Sequence, residues 1–124
     1  MNPITIFIRL FKAVGYSISG IKAAIQSEIA FKQEVIMCMV LIPVACMLSI
    51  SLLSKALLIS SLLLILIVEL MNTAIETVVD RISVESHPLS KKAKDVGSAA
   101  VLLSLINAVT VWSFVLWPEL ILLF

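Results

Sequence analysis

The stretch VELMNTAIETVVD, from Val68 to Asp80, carries three carboxylates, an amide and a hydroxyl at spacings that suit one face of a helix. At about 100° per residue, Glu69, Asn72, Thr73, Glu76 and Asp80 fall within an arc of about 100°. Leu70, Met71, Ala74, Ile75, Val78 and Val79 cover the other faces, and Ala56 to Val68 contains no charge. The polar stripe therefore continues a membrane span. An ionisable group at that depth costs on the order of 3 kcal/mol, so it normally faces a protein interior or a wet cavity where something compensates it. Three carboxylates on one stripe ask for cations. The chemistry this suits is a divalent metal held by hard oxygen ligands, with one carboxylate left for acid–base work. The competing reading is a helix leaving the bilayer with solvated charges. It fits Asp80 better than Glu69, because roughly two more turns of apolar sequence follow Glu69.

The rest of the chain must place that stripe. With 124 residues, 61% of them hydrophobic, and a mean hydropathy of +1.17, it reads as a small polytopic membrane protein in one domain, residues 1–124. The net charge of +1 hides two basic blocks, residues 9–32 and 81–94, which hold every Lys and Arg except Lys55. Nucleic acid is not an expected partner. Cys38 and Cys46 lie too far apart on one straight helix to form a disulfide and read as small hydrophobes.

In chain order, Phe7, Leu10, Phe11, Val14, Ile18, Ile21 and Ile25 share one helical face, while Arg9, Lys12, Ser19 and Gln26 project elsewhere. This predicts an amphipathic helix over about 6–26, lying on the membrane surface with its basic groups toward headgroups. Gly15 and Gly20 would permit a bend. With no small-residue cleavage site near it, the first span is expected to act as its own insertion signal. Spans are predicted over about 29–50, 56–79 and 97–117. Pro43 would kink the first, Ser49 to Lys55 forms a tight outer turn, and Ser90 is the expected N-cap that restarts the helix after the loop. Gly97, Ser98, Ala99 and Ala100 would let another backbone approach closely. Trp112 and Trp117 suit an interfacial aromatic belt. The basic blocks put the N-terminus and the 81–95 loop in the cytosol and the C-terminus outside. All carboxylates except Glu119 then meet the lysines at the cytosolic face, where a soluble charged substrate could reach a lipid.

With only three glycines the chain has no GxxxxGK loop and no kinase-type glycine-rich motif. If it handles phosphate, Mg²⁺ and scattered basic side chains must replace backbone amides. Phosphoryl transfer suits such an arrangement, since its catalysis is mostly positioning and charge neutralisation.

ELMNTAIETVVDR (Glu69 to Arg81) and AKDVGSAAV (Ala93 to Val101), with RLFKAVGYS (Arg9 to Ser17) and SEIAFKQE (Ser27 to Glu34), strongly resemble the prokaryotic diacylglycerol kinase family over nearly the whole chain, without gaps. The resemblance implies an all-α homotrimeric bundle, one surface helix and three spans per protomer, with each site composed from neighbouring chains. It implies transfer of the ATP γ-phosphate to the hydroxyl of diacylglycerol, giving phosphatidic acid and ADP, with Mg²⁺ as cofactor. Matched position by position, Glu69 is the catalytic base, Glu28 and Glu76 are the Mg²⁺ ligands that hold Mg-ATP, and Asn72 is an amide near the transferred phosphate. Arg9, Tyr16, Glu85, Ser86, His87, Lys94 and Asp95 match nucleotide-contacting positions. Lipid-site positions are matched by Arg9, Ala13, Val14, Gly15, Tyr16 and Ser17 on the surface helix, by Ala30, Phe31, Lys32, Gln33 and Glu34 at the first span, and by Glu69, Ser98 and Trp112.

Physical chemistry agrees with that division. A carboxylate within hydrogen-bond reach can accept the proton of a weakly nucleophilic glyceride hydroxyl as its oxygen attacks. Glu69, the deepest of the stripe, suits a lipid hydroxyl, and Glu76, about 10 Å further along the axis, suits an ion bridging phosphates. Lys94 would offset phosphate charge as a point cation. Two departures matter: Ser86 stands where the family carries a bulkier, often aromatic residue, and Pro88 stiffens the following turn. Undecaprenol kinase is the alternative on the same fold: the HPL and KKAKD sequences lean slightly toward it, while the GSAAV continuation and the surface helix lean back toward diacylglycerol. From other classes, a four-helix proton-coupled exporter would place the C-terminus in the cytosol, and a purely structural subunit would not need Glu69.

Overall fold

A computed structural model describes residues 2–123, and every regular element among them is an α-helix. Helix α1 (Pro3–Ser27) starts earlier than the apolar periodicity suggests, because Asn2 and Pro3 form a cap. The Asn2 side-chain oxygen accepts from the Ile4 N–H at 3.2 Å, and Pro3 occupies the first turn, where its missing donor costs nothing. The helix continues through Gly15 and Gly20. At Glu28 the backbone leaves helical geometry (φ −113°, ψ 111°) for one residue, yet its N–H still reaches the Ala24 carbonyl at 2.9 Å and its carbonyl accepts from Lys32 at 3.1 Å.

Helix α2 (Ile29–Met47) continues through Pro43 and ends before residue 50, because Ser51 already caps the next helix. The Ser51 hydroxyl accepts from the Ser54 N–H at 3.1 Å, and the Lys55 ammonium donates to the Cys46 carbonyl at 2.7 Å, one of the carbonyls left open at the end of α2. Lys55 thus belongs to the first turn of helix α3 (Leu52–Ile82), and the turn between α2 and α3 is shorter than expected. The 31 residues of α3 span about 46 Å, well beyond a bilayer core of about 30 Å.

Helix α4 (Pro88–Ile121) begins at a different cap from the expected one. His87, not Ser90, caps it: Nδ1 accepts from the Leu89 N–H at 3.1 Å, and Pro88 supplies a preset first turn. Ser90 already lies inside the helix, which runs on through Pro118.

Helix α3 is the central element, packed most extensively on α4 and next on α2, with α1 touching α2 and α3. Its buried residues, Leu58, Ser61, Leu62, Ile65, Glu69 and Asn72, recur at three- and four-residue steps, so the apolar inner face and the polar stripe are one continuous face. Leu62 and Ile65 meet Cys38 of α2 and Ala108 of α4, flanked by Met37, Leu41, Leu66 and Trp112. The Cys38 thiol makes a weak contact to the Leu62 carbonyl at 3.8 Å, and both cysteines are free. Outside this narrow core, large apolar side chains such as Phe11, Leu103, Val109 and Phe114 are exposed. All four helices are long and apolar enough to cross a membrane, and an apolar exterior of this extent suits lipid.

Candidate active site

Glu69 and Asn72 are 6% and 9% exposed, which sets them apart from the other polar residues of the stripe. Asn72 Nδ2 donates to Glu76 Oε1 across one helical turn at a long 3.4 Å. Glu69 lies within electrostatic reach of Glu76 and Glu28, and Glu34 within reach of Glu69. Carboxylates from three places in the sequence are thus coupled through Glu69: Glu28 from the non-helical junction, Glu34 from one turn into α2, and Glu76 from α3 itself. Glu28 also accepts from the Ser27 hydroxyl at 3.3 Å. The Glu34 Oε2 and Asn72 Oδ1 atoms are buried without a hydrogen-bond partner. Unmet acceptors of this kind are rare enough in folded proteins to mark a place of functional interest.

Beyond this cluster the end of α3, the 83–87 loop and the start of α4 enclose an open cavity of about 610 Å³ lined by Asp80, Glu85, Ser86, His87, Lys91, Lys94 and Asp95. Lys94 pairs with Asp80 at 2.7 Å, and Lys91 pairs with Asp95 at 2.5 Å. The hydrogen bond to Asp80, reinforced by the charges of Asp80 and Glu76, holds the Lys94 ammonium above its ordinary pKa. Lys94 therefore joins the cavity electrically to the carboxylate cluster. A second hollow, of about 440 Å³ between α1 and α3, is lined by Ser17, Ala24 and Ser27 on one side and Thr73 and Thr77 on the other.

The sequence-predicted residues divide accordingly. Glu28, Glu34 and Glu76 lie within electrostatic reach of Glu69, Asn72 is hydrogen-bonded to Glu76, and Glu85, Ser86, His87, Lys94 and Asp95 share the cavity. Ser17 faces α3 across the second hollow. Ala13, Val14, Gly15 and Tyr16 lie exposed along α1, as do Arg9 on the same helix, Ala30, Lys32 and Gln33 on α2, and Ser98 on α4. Phe31 is buried in the helix packing. Trp112 sits about 22 Å along α4 from Gly97, in the apolar crevice with Met37, Leu41 and Ile65, its indole N–H buried without a partner. The pairing of Asp80 with Lys94 escaped the sequence reading, because it closes across the loop. The pairing of Lys91 with Asp95 was available from the four-residue spacing in KKAKD.

Whether the cluster suits a divalent cation can be judged from its donors. Glu28 and Glu76 offer hard oxygens of the type Mg²⁺ takes, and Mg²⁺ commonly uses one or two carboxylates with phosphate oxygens and water completing its shell. Among the described residues no three metal-ligating side chains gather closely enough to hold an ion unaided. The donor set thus fits a cation brought with a nucleotide.

Comparison with known proteins identifies the family. The family model for prokaryotic diacylglycerol kinase matches residues 15–116. A diacylglycerol kinase of Escherichia coli is 49% identical over 118 residues, covering 95% of this chain and 97% of the relative. One of Pseudomonas aeruginosa is 51% identical over 108 residues, 87% and 88% of the two chains, and one of Helicobacter pylori is 46% identical over 106 residues, 86% and 83%. Matches of this length span the junction at Glu28, the α3 stripe and the α4 cap together, and they establish that the chain belongs to the prokaryotic diacylglycerol kinase family.

Proposed function

We propose that the protein transfers the γ-phosphate of ATP to the free hydroxyl of diacylglycerol, producing phosphatidic acid and ADP in a bacterial cytoplasmic membrane. The observation that carries this reading is the burial of Glu69 at the point where the apolar face of α3 turns polar, beside Glu28, Glu34 and Glu76. A lipid alcohol and a soluble nucleotide can meet there.

In this mechanism Glu69 accepts the hydroxyl proton as the lipid oxygen attacks the γ-phosphorus and ADP departs. Asn72 steadies Glu76 and presents an amide to the transferred group. Glu28 and Glu76 would hold Mg²⁺ against the nucleotide's phosphate oxygens, where the ion supplies charge neutralisation and orientation. Lys94, freed from Asp80, neutralises phosphate charge, and the cavity bounded by Glu85, Ser86, His87 and Asp95 receives the nucleoside end. Exclusion of water by the packed α3 and α4 faces protects the phosphoryl group from hydrolysis.

In this reading α1 lies on the cytosolic surface, α2 to α4 span the bilayer, and the C-terminus is outside. The chain forms a homotrimer with sites shared between protomers, so that Arg9, Tyr16 and the other exposed α1 positions, with Ser98 and Trp112, are completed by neighbouring chains and by lipid. Sharing would explain how so short a chain encloses two substrates.

Purified protein in mixed micelles, given labelled ATP with diacylglycerol or undecaprenol, tests the assignment. Faster phosphorylation of diacylglycerol is expected. Faster turnover of undecaprenol would transfer the site to polyprenols, the reading toward which the HPL and KKAKD sequences lean slightly, and phosphorylation of neither would remove the kinase assignment.

A further inference from the structure

We propose that Gly97 is a positioning residue for the phosphoryl-transfer site, the absence of its side chain providing the seat in which the Asn72 amide is aimed at Glu76. The inference deepens the kinase reading above and rests on it. Gly97 is buried where α4 crosses α3, and a Cβ built there would overlap Asn72 Oδ1 and come within 3.3 Å of Asn72 Cγ. Nothing lies within 4 Å of the equivalent position at Gly15 or Gly20, so the close approach is particular to this glycine. No glycine among the described residues has a positive φ, which leaves space, not backbone freedom, as what Gly97 contributes.

Asn72 Oδ1 has no hydrogen-bond partner although it is buried, while Nδ2 reaches Glu76 Oε1. The amide is thus held by its fit against the α4 backbone, with Oδ1 against the Gly97 Cα–H, a weak contact typical of helix–helix crossings. That arrangement selects which way the amide faces: oxygen toward α4, nitrogen toward the carboxylate. A methyl at position 97 would act on the far end of a two-torsion side chain, which can swing away. The fold absorbs the change and the donor leaves Glu76.

The test compares Gly97→Ala with Gly20→Ala, in full-length protein in micelles, alone and combined with Asn72→Ala. Gly97→Ala is expected to lower kcat at least tenfold without lowering the thermal midpoint, since alanine is the better helix former, while Gly20→Ala keeps both. In the Asn72→Ala background, adding Gly97→Ala should change kcat less than twofold. The side-chain amide signal of Asn72 in ¹⁵N spectra, identified by its loss in Asn72→Ala, should move in Gly97→Ala and stay in Gly20→Ala. An unmoved signal, a kcat within twofold of the wild type, losses that multiply in the double variant, or a sharply lowered midpoint would each overturn the proposal. If wild-type protein phosphorylates no lipid, the kinase reading fails, while the amide signal still decides whether Gly97 seats Asn72.

Discussion

Replacing Asn72 with alanine should separate the chemistry of the site from its stability. In the folded chain Asn72 is 9% exposed, donates one long hydrogen bond of 3.4 Å, and keeps an unpaired oxygen. A hydrogen bond to a charged group contributes about 1.5–3 kcal/mol at good geometry, and the stretched one here is near the bottom of that range or below it. An unmet buried acceptor costs about 1–3 kcal/mol, and asparagine in a helix interior is about 0.5 kcal/mol less favourable than alanine. The terms lost and gained therefore nearly cancel, and the variant should unfold within about 2 kcal/mol of the wild type, on the stable side. Losing a positioned donor at a site of developing charge costs about 10²–10³ in kcat. Titration with a denaturing detergent gives the first quantity and a coupled ATPase-lipid assay the second. A variant destabilised by more than about 2 kcal/mol with kcat within threefold of the wild type would refute this reasoning, because the amide would then serve the fold.

Two further outcomes follow from the charges. Glu76→Gln removes one hard oxygen charge from the proposed cation site, so half-maximal activity should require about tenfold more Mg²⁺; an unchanged requirement in a magnesium titration would place the ion elsewhere. Lys94 has its pKa raised above the ordinary 10.5 by Asp80 and Glu76, so its charged form and its pairing are fully present below 10.5 and lost only as pH rises through the higher folded value. The KM for ATP should accordingly show no Lys94-dependent rise between pH 7 and about 9, and a rise there that Lys94→Arg abolishes would contradict it.

The polar stripe was legible in the sequence because helical periodicity alone fixes it: the spacing that puts Glu69 and Asn72 on one face also puts Leu58, Leu62 and Ile65 there, and the structure buries all five. The helix ends were less legible. Asn2, Ser51 and His87 act as caps through local hydrogen bonds, and His87 lies outside the usual capping set, so Ser90 looked the better candidate. Gly97 was readable as a place of close approach but not as the seat of Asn72, since nothing in GSAAV says which residue of α3 lies opposite. The pairing of Asp80 with Lys94 depended on where a short loop returns the chain. Residues such as Tyr16 and Ser98 could be matched by family resemblance alone, because within one protomer they face outward and no packing draws them in.

The proposed phosphoryl transfer depends most on Glu69, the group that would take the lipid proton. Glutamine at that position keeps the size and hydrogen-bonding capacity of the side chain while removing the base, so the folded variant should form phosphatidic acid from ATP and diacylglycerol about 10²–10⁴ times more slowly than the wild type. A Glu69→Gln protein that retains kcat within about threefold of the wild type would contradict the account at its centre.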